Sequence, residues 1–344
     1  MSIIFIEGFD YYASVANLAA ANWTLNSTSL VDMPAGRFAG LAFRFNGSTS
    51  QRLASRIFAG TNTFTLGVAY RLGDPTVIGS NHPLIAFNTA AAAAQFRIVL
   101  DTSGQVSIQR GTTGSLAMSA LGEPVFAANT WYYLEIEAFV ADSGGFVRVY
   151  RDGTLIVEFD GDTRNQAGTD LVEMIRFFGN NGGGTSDGPN IVSIDDIYLI
   201  NSATRLGQCR ISTLLPEADT ADADWTPNSG STHFSRVNND DGDTTYIVSD
   251  TATDLDMFDA QDLPFTPQTV HAVQISWRAR KDDAAIREVR ANIRSDVATA
   301  NGATRNLTPS YLYYHDVFEE DPDAAGPWTG AAVAAMEIGV ETVT

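Results

Sequence analysis

The chain has 344 residues, of which 44% are hydrophobic and 18% are charged, with 29 Gly and 12 Pro. This length and apolar content suffice for roughly two domains with buried cores, and they exclude a disordered acidic chain. The net charge is −20, from 21 basic and 41 acidic residues, so binding to nucleic acid or to an anionic membrane surface is not expected.

The chain opens on a strand pattern, Ser2–Phe9. Met1–Glu7 contains no basic residue before its apolar run and reaches an acid at Glu7, unlike a cleaved signal peptide. No apolar run in the sequence approaches the roughly 20 residues that a membrane-spanning helix needs. We therefore expect no membrane insertion.

Most segments up to residue 203 alternate between apolar and polar residues and are bounded by Gly, Asn, Asp or Pro. Phe146–Phe159 is the clearest, because Asp152-Gly153 separates two alternating runs and predicts a β-hairpin. Many short strands at regular spacing are typical of an all-β sandwich or barrel. The other strand candidates are Ser2–Phe9, Arg37–Phe45, Thr63–Arg71, Leu84–Phe87, Phe96–Leu100, Val106–Gln109, Trp131–Val140, Met174–Phe178 and Ile191–Ile200.

A domain boundary is predicted near Asn201–Gly207, which divides the chain into domains 1–203 and 204–344. Beyond the boundary, the composition shifts toward Asp and Thr. We expect the second domain to be a smaller β-sandwich and to serve in assembly.

Within the second domain, the alternation of Val270–Arg280 predicts a long strand. Ile286–Arg294 is predicted to return beside it as a hairpin, and Tyr311–Phe318 is a further strand. Trp328–Met336 is the one helical pattern, with Thr329 as its N-cap.

Four segments of the first domain carry a family resemblance. Trp131–Glu137, Val147–Gly153 and Val192–Leu199, together with the opening Phe5–Asp10, resemble the laminin-G-like, concanavalin-A-like jelly roll. The resemblance covers about 1–203 and implies a two-sheet sandwich with loops at its rim.

Leu214–Val340 resembles the C-terminal part of tailed-bacteriophage virion proteins. The resemblance implies a spike, fibre, decoration or tail protein that is made in the bacterial cytoplasm and resides in the virion. It also implies partners that are copies of this chain and other virion proteins, and no enzymatic activity. The segments that carry it are Trp225–Pro227, Asp241–Tyr246, Val270–Gln274, Arg278–Asp283 and Tyr311–Tyr314.

Glycan binding is the alternative function. The loop Gly179–Asn190 is rich in Gly and polar residues, and rim loops of lectin-like domains bind sugars through Asn and Asp. A flexible connector is the other interpretation of this loop. The candidate ligand-binding residues are Asn180, Asn181, Asp187 and Asn190, with Trp23 or Tyr12 as an aromatic platform.

A glycoside hydrolase is the third hypothesis. Glu135 and Glu137 lie two residues apart, so both side chains are expected on one face of a strand. Retaining hydrolysis needs two carboxyl groups about 5–5.5 Å apart. The third acid of the glucanase pattern is absent, because Ala138 and Phe139 follow. We therefore expect a solvent-facing acidic pair without catalytic activity.

No cofactor and no metal site are predicted, with calcium as the alternative. Asp195 and Asp196 are adjacent, so without a bulge their side chains point to opposite faces of a strand. Asn239–Asp243 lacks the spacing and terminal Glu of an EF-hand and is predicted to be a turn. The single cysteine, Cys209, excludes an internal disulfide and a CxxC pair.

An arginine stripe is predicted on the second domain. Four arginines of the Val270–Arg294 hairpin should share the face that points away from the core. Like charges opposite one another cost stability unless carboxylates neutralise them. Those carboxylates could belong to the same domain or, in an assembly contact, to a neighbouring subunit. The stripe consists of Arg278, Arg280, Arg290 and Arg294.

Overall fold

A computed structural model describes residues 2–26, 31–46, 52–55, 57–75, 82–101, 104–111, 126–179 and 191–344, without the side chains of residues 52 and 54. Strands dominate the described residues, which confirms the predicted all-β class. Two units separate by their internal contacts. The first comprises Met1–Asp10 and Ser14–Ile211, and the second comprises Tyr11–Ala13 and Ser212–Thr344.

The strands of the first unit, in chain order, are β1 Ile3–Glu7, β2 Thr24–Leu25, β3 Val31–Asp32, β4 Phe43–Asn46, β5 Arg52–Ala54, β6 Thr63–Leu72, β7 His82–Asn88, β8 Ala94–Leu100, β9 Val106–Arg110, β10 Trp131–Phe139, β11 Gly145–Arg151, β12 Thr154–Gly161, β13 Met174–Phe178 and β14 Ile191–Ile200. A 3-10 helix spans Val15–Ala21.

These strands form two antiparallel sheets. The eight-stranded sheet has the order β12-β11-β10-β6-β14-β4-β3, with β1 paired to β14, and the six-stranded sheet has the order β2-β5-β13-β7-β8-β9. Phe64 of the larger sheet stacks on Phe87 of the smaller one with 5.1 Å between ring centroids, and Phe87 stacks on Phe96 at 4.5 Å. All three rings are buried. The first unit is therefore a β-sandwich whose sheets are joined by an aromatic core.

The hairpin predicted at Asp152-Gly153 is confirmed, since β11 pairs with β12 across it. Asp152 and Gly153 have φ angles of 50° and 82°. Positive φ at both central residues is what a type I′ turn requires, and its twist matches that of the flanking strands.

The strands of the second unit, in chain order, are β15 Pro216–Ala223, β16 Thr226–Pro227, β17 Ile247–Val248, β18 Leu255–Ala260, β19 Val273–Ala279, β20 Glu288–Ser295, β21 Ala298–Asn301, β22 Arg305–Asn306, β23 Leu312–Phe318, β24 Glu320–Asp321, β25 Gly326–Pro327 and β26 Glu337–Thr342. The helices are α1 Phe234–Val237 and α2 Gly330–Ala334.

The largest sheet of the second unit has the order β15-β18-β26-β20-β21, with β22 paired to β20, while β19 pairs with β23 in a separate ladder. The helix predicted near Trp328–Met336 is confirmed as α2. The Thr329 hydroxyl accepts a hydrogen bond from the Ala332 backbone N–H at 3.0 Å, as an N-cap does. No helix in the described part of the chain is long and apolar enough to cross a membrane.

The predicted hairpin Val270–Arg294 is wrong. β19 pairs with β23, with Trp277 opposite Tyr314, whereas β20 pairs with β26. The Trp277 ring packs on Tyr314 at 4.6 Å, and its indole N–H donates to the Asp316 carboxylate at 3.3 Å. The segment between β19 and β20 has no Asn-Gly or Asp-Gly turn to fix a local pairing. Side-chain packing across β19 and β23 therefore decides the partner.

His82 of β7 gives a testable pH dependence. The side chain is 1% exposed, and neither ring nitrogen has a hydrogen-bond partner in the described part of the chain. Burial lowers the pKa of His82 to about 4, below its ordinary value of about 6.5. The unfolded chain therefore takes up a proton first as the pH falls.

We expect the stability that neutral His82 provides to be complete above pH 6.5 and to be lost between pH 6.5 and 4. The loss should reach about 3 kcal/mol. The measurement is urea unfolding of the wild type and of His82→Leu across this range. The difference between the two proteins should change by that amount, and a constant difference would contradict the assignment.

Candidate functional site

The two sheets of the first unit differ in charge. The strands of the eight-stranded sheet include acids such as Glu135, Glu158 and Asp195. The six strands of the other sheet, as the structure describes them, contain arginines and one histidine but no Asp or Glu. The chain as a whole has a net charge of −20, so six strands without a single acid are unusual in it.

Two arginines of the acid-free sheet lie in one cross-strand row with Gln109 and Ala86. The backbone register places Gln109 of β9 opposite Arg97 of β8, Arg97 opposite Ala86 of β7, and Ala86 opposite Arg176 of β13. Phe96, Phe87 and Phe177 alternate with them and are buried in the core. The row, named here the arginine row, therefore lies on the outer face of the sheet.

Arg97 and Arg176 of the arginine row each donate a hydrogen bond to a neutral acceptor. Arg97 donates from Nη2 to the Gln109 side-chain oxygen at 2.9 Å, and Arg176 donates from Nη1 to the Ala92 carbonyl at 3.4 Å. Gln109, Arg97 and Arg176 are all half-buried. Their stems are thus packed on the sheet, while part of each side chain remains accessible to solvent.

A polar cleft of about 260 Å³ lies near the β9 end of the row, lined by Arg110, Asp142, Asp162, Arg164, Asn165 and Ala167. Gln95, two residues before Arg97, holds this region in place. Its side-chain oxygen accepts the backbone N–H groups of Asn165 at 3.0 Å and Gln166 at 2.9 Å.

Charges of both signs line the polar cleft. Arg164 pairs with Asp142 at 2.7 Å and with Asp170 at 3.2 Å, and Arg110 pairs with Asp162. The cleft therefore presents hydrogen-bond donors and acceptors side by side. The sequence analysis predicted neither the arginine row nor the polar cleft. The sequence does show that these strands lack acids, but it does not show that they pair in one sheet.

The predicted ligand residues lie elsewhere. Trp23 is only 5% exposed; its indole N–H donates to Glu7 at 3.1 Å, and its ring packs against Phe5. Tyr12 is also buried. The expectation that either ring is an open platform is therefore wrong, because both are covered. Asn180, Asn181, Asp187 and Asn190 lie outside the described residues.

Glu135 is not the solvent-facing acid that the alternation predicts. It is 1% exposed and accepts hydrogen bonds from the Tyr198 hydroxyl at 2.6 Å, from the Gly207 N–H at 2.9 Å and from Arg205 at 3.3 Å. A Cβ on Gly67 would lie 2.0 Å from the Tyr198 ring, so the absence of a side chain at Gly67 leaves room for that ring. The segment after β14 thus covers this part of the larger sheet.

The side chains of Asp195 and Asp196 do not follow the alternation of a regular strand. The pairing of β14 with β6 is irregular after Asp195, and Asp196 has a φ of 48°. Asp195 accepts the Arg37 N–H at 2.8 Å, and Asp196 accepts the Ile211 N–H at 2.8 Å. Burial, with the neighbouring charge of Asp196, raises the pKa of Asp195 to about 8. Among the described residues, no group of three or more His, Cys, Asp or Glu could hold a metal ion.

The arginines predicted as a stripe belong to different ladders, since β19 and β20 do not pair. The expectation of one shared face is wrong for this reason. Each forms an ion pair within the second unit. Arg280 pairs with Asp243 at 3.1 Å, Arg290 with Glu341 at 2.8 Å and Arg294 with Asp222 at 2.6 Å, and Arg278 pairs with Asp240.

Comparison with known proteins gives structural matches alone. No family model and no curated protein matches the sequence. The alginate lyase Aly36B matches with a TM-score of 0.40 and 12% identity, over 60% of this chain and 98% of its own. The cellulose-induced protein Cip1 matches with a TM-score of 0.39 and 14% identity, over 55% and 94%.

The sialidase of Trypanosoma rangeli matches with a TM-score of 0.32 and 17% identity, over 53% of this chain and 30% of its own. The resemblance to the jelly roll implies a two-sheet sandwich, and the first unit has that two-sheet architecture. None of the three is named as a virion protein.

The prediction that the chain has no enzymatic activity is corrected here. The solved structures it matches include enzymes, namely an alginate lyase and a sialidase.

Proposed function

We propose that the first unit binds a carbohydrate polymer, and that the arginine row together with the polar cleft is its binding surface. The observation that carries this proposal is the cross-strand alignment of Gln109, Arg97 and Arg176 beside a cleft lined by Arg and Asp. Sugar hydroxyls both donate and accept hydrogen bonds. They are matched by amide, guanidinium and carboxylate groups held at fixed spacing.

The rigidity of the surface supports the proposal. Gln109, Arg97 and Arg176 project from paired strands rather than from loops, and strands fix side-chain positions more precisely. The outer face of a sheet can also extend along several units of a polymer. Small ligands, by contrast, are usually enclosed in a deep and mostly apolar pocket.

The test is binding of the full chain to an array of bacterial surface polysaccharides. Gln109→Ala and Asn165→Ala should each weaken binding roughly tenfold, as the loss of a hydrogen bond in a polar site does. Glu158→Ala on β12 of the other sheet is the control and should bind like the wild type. The same incubations are assayed for new reducing ends, which reveal cleavage of the polymer.

Wild-type affinity in both variants would contradict the proposed surface. Equal weakening by the Glu158→Ala control would contradict it as well, because the effect would then not depend on the face of the sandwich.

The place of the chain in a tailed-phage particle stays a prediction from the C-terminal resemblance. In that setting, the first unit would contact glycans of the host surface. Cross-linking of purified particles, followed by identification of the neighbouring chains, tests it. Neighbours from the capsid or from the tail would locate the protein, and its absence from particles would contradict the prediction.

A further inference from the structure

We infer that residues 205–211 form a releasable strap on the eight-stranded sheet, and that ionisation of two adjacent buried aspartates opens the strap as the pH rises. Along the chain, the strap follows β14 and leads into the second unit at Ser212. Its release would lengthen the connection between the units, because the freed strap can span up to about 24 Å at about 3.4 Å per residue.

Side-chain groups of the sheet hold the start of the strap. Arg205 and the Gly207 N–H both donate to the Glu135 carboxylate, at 3.3 Å and 2.9 Å. The Leu206 N–H donates to the Tyr198 hydroxyl at 3.1 Å. The strap belongs to no strand or helix, so these groups rather than a β ladder hold it. Beneath it, Glu135 and Tyr198 are buried, and opening would expose both.

Arg37 holds the other end of the strap. Its guanidinium donates to the Gln208 side-chain oxygen at 3.1 Å and to the Cys209 carbonyl at 3.2 Å. The same group lies 3.4 Å from one oxygen of Asp196. The other oxygen of Asp196 accepts the Ile211 N–H at 2.8 Å. Arg37 and Asp196 therefore join the strap to β14.

Asp195 and Asp196 place two carboxyl groups beside one guanidinium. Asp195 accepts the backbone N–H groups of Arg37 and Asp196, each at 2.8 Å. Asp195 is 4% exposed and Asp196 is 2% exposed. Among the described residues, Arg37 is the one cation within 4 Å of either carboxylate. The other charged or titratable groups that face the pair are Asp10, Tyr133, Cys209 and Arg210. The closed strap thus accommodates one negative charge on the pair better than two.

The direction of the pH dependence follows from Asp195. Burial and the charge of Asp196 raise the pKa of Asp195 to about 8, from an ordinary value of about 3.9. Burial also raises the pKa of Asp196. The closed state therefore keeps a proton that the open state, with its carboxyl groups in water, has released. Closure is most stable below about pH 4 and weakens as the pH rises to 8, by up to about tenfold in the opening constant for each pH unit.

Cys209, the single cysteine of the chain, makes the opening measurable. Burial raises the pKa of its thiol to about 12, so the closed state reacts slowly with a disulfide reagent. The rate of reaction with 4,4′-dithiodipyridine is measured for the folded full chain and for the urea-unfolded chain at each pH. The ratio of the folded rate to the unfolded rate should rise roughly tenfold for each unit between pH 5 and 7.

Asp195→Asn keeps an oxygen acceptor for the two N–H groups but cannot ionise, so its rate ratio should stay constant across this range. Asp160→Asn on β12, where the side chain is 64% exposed, is the matched control and should behave like the wild type. A wild-type ratio that does not change with pH would overturn the inference. The same pH dependence in Asp195→Asn as in the wild type would overturn it too.

Arg37→Gln decides if Asp195→Asn fails to fold. This change removes the cation that joins the strap to Asp196, so the rate ratio at pH 6 should rise roughly tenfold, and an unchanged ratio would contradict the inference. Dilute urea separates local opening from global unfolding, because a local opening exposes little surface and depends weakly on urea. A urea dependence as steep as that of global unfolding would also overturn the inference.

Discussion

Replacing Glu135 with alanine is expected to lower the free energy of unfolding of the first unit by about 3–5 kcal/mol. The carboxylate is buried and accepts hydrogen bonds from Tyr198, Arg205 and Gly207. Its removal leaves these donors without their acceptor in a region closed to water. Urea unfolding measures the total loss, and amide exchange at Gly207 reports the local opening.

Glu137→Ala is the matched control, because Glu137 lies on the same strand and the same face but is partly exposed. Its removal should cost less than about 1 kcal/mol, as is usual for charges near the surface. A similar loss in the two variants would contradict the role assigned to Glu135.

Replacing Phe87 with alanine is also expected to cost about 3–5 kcal/mol, through lost burial and the cavity left behind. The ring is 0% exposed and stacks on Phe64 of the opposite sheet and on Phe96 of its own. It therefore joins the two layers of the sandwich. Thermal and urea unfolding measure the change.

Phe38→Ala is the control for the aromatic core. Phe38 is 55% exposed and is contacted by the guanidinium of Arg37. Its loss should cost less than about 1 kcal/mol. A loss after Phe87→Ala as small as that would mean that the sheets are held together elsewhere.

The elements that the sequence predicted correctly are those with a local cause. Asp152-Gly153 dictates a turn whatever surrounds it, and the Thr329 hydroxyl reaches an N–H three residues away. The alternating apolar residues of β6 and β10 likewise predict strands with one face in the core. Such signals are complete within a few residues of chain.

The features that escaped prediction depend on distant segments. Alternation places Glu135 away from the core, but it cannot show that residues 205–207 return to cover that face. The partner of β19 is β23, some forty residues later in the chain, rather than its neighbour β20. The arginine row exists only once β8, β7 and β13 are adjacent. Each of these requires the sheet order, which local patterns do not contain.

The assignment of Tyr11–Ala13 to the second unit affects how the protein can be divided. Tyr12 packs against Tyr313 with 5.2 Å between ring centroids, and the Ala13 N–H donates to Asp240 at 3.3 Å. A fragment that starts at Ser212 would lack these partners and would expose part of its own interior. Dissection at a single peptide bond thus cannot yield both halves intact, whereas fusing a copy of the Tyr11–Ala13 stretch to the later fragment would restore what the cut removes.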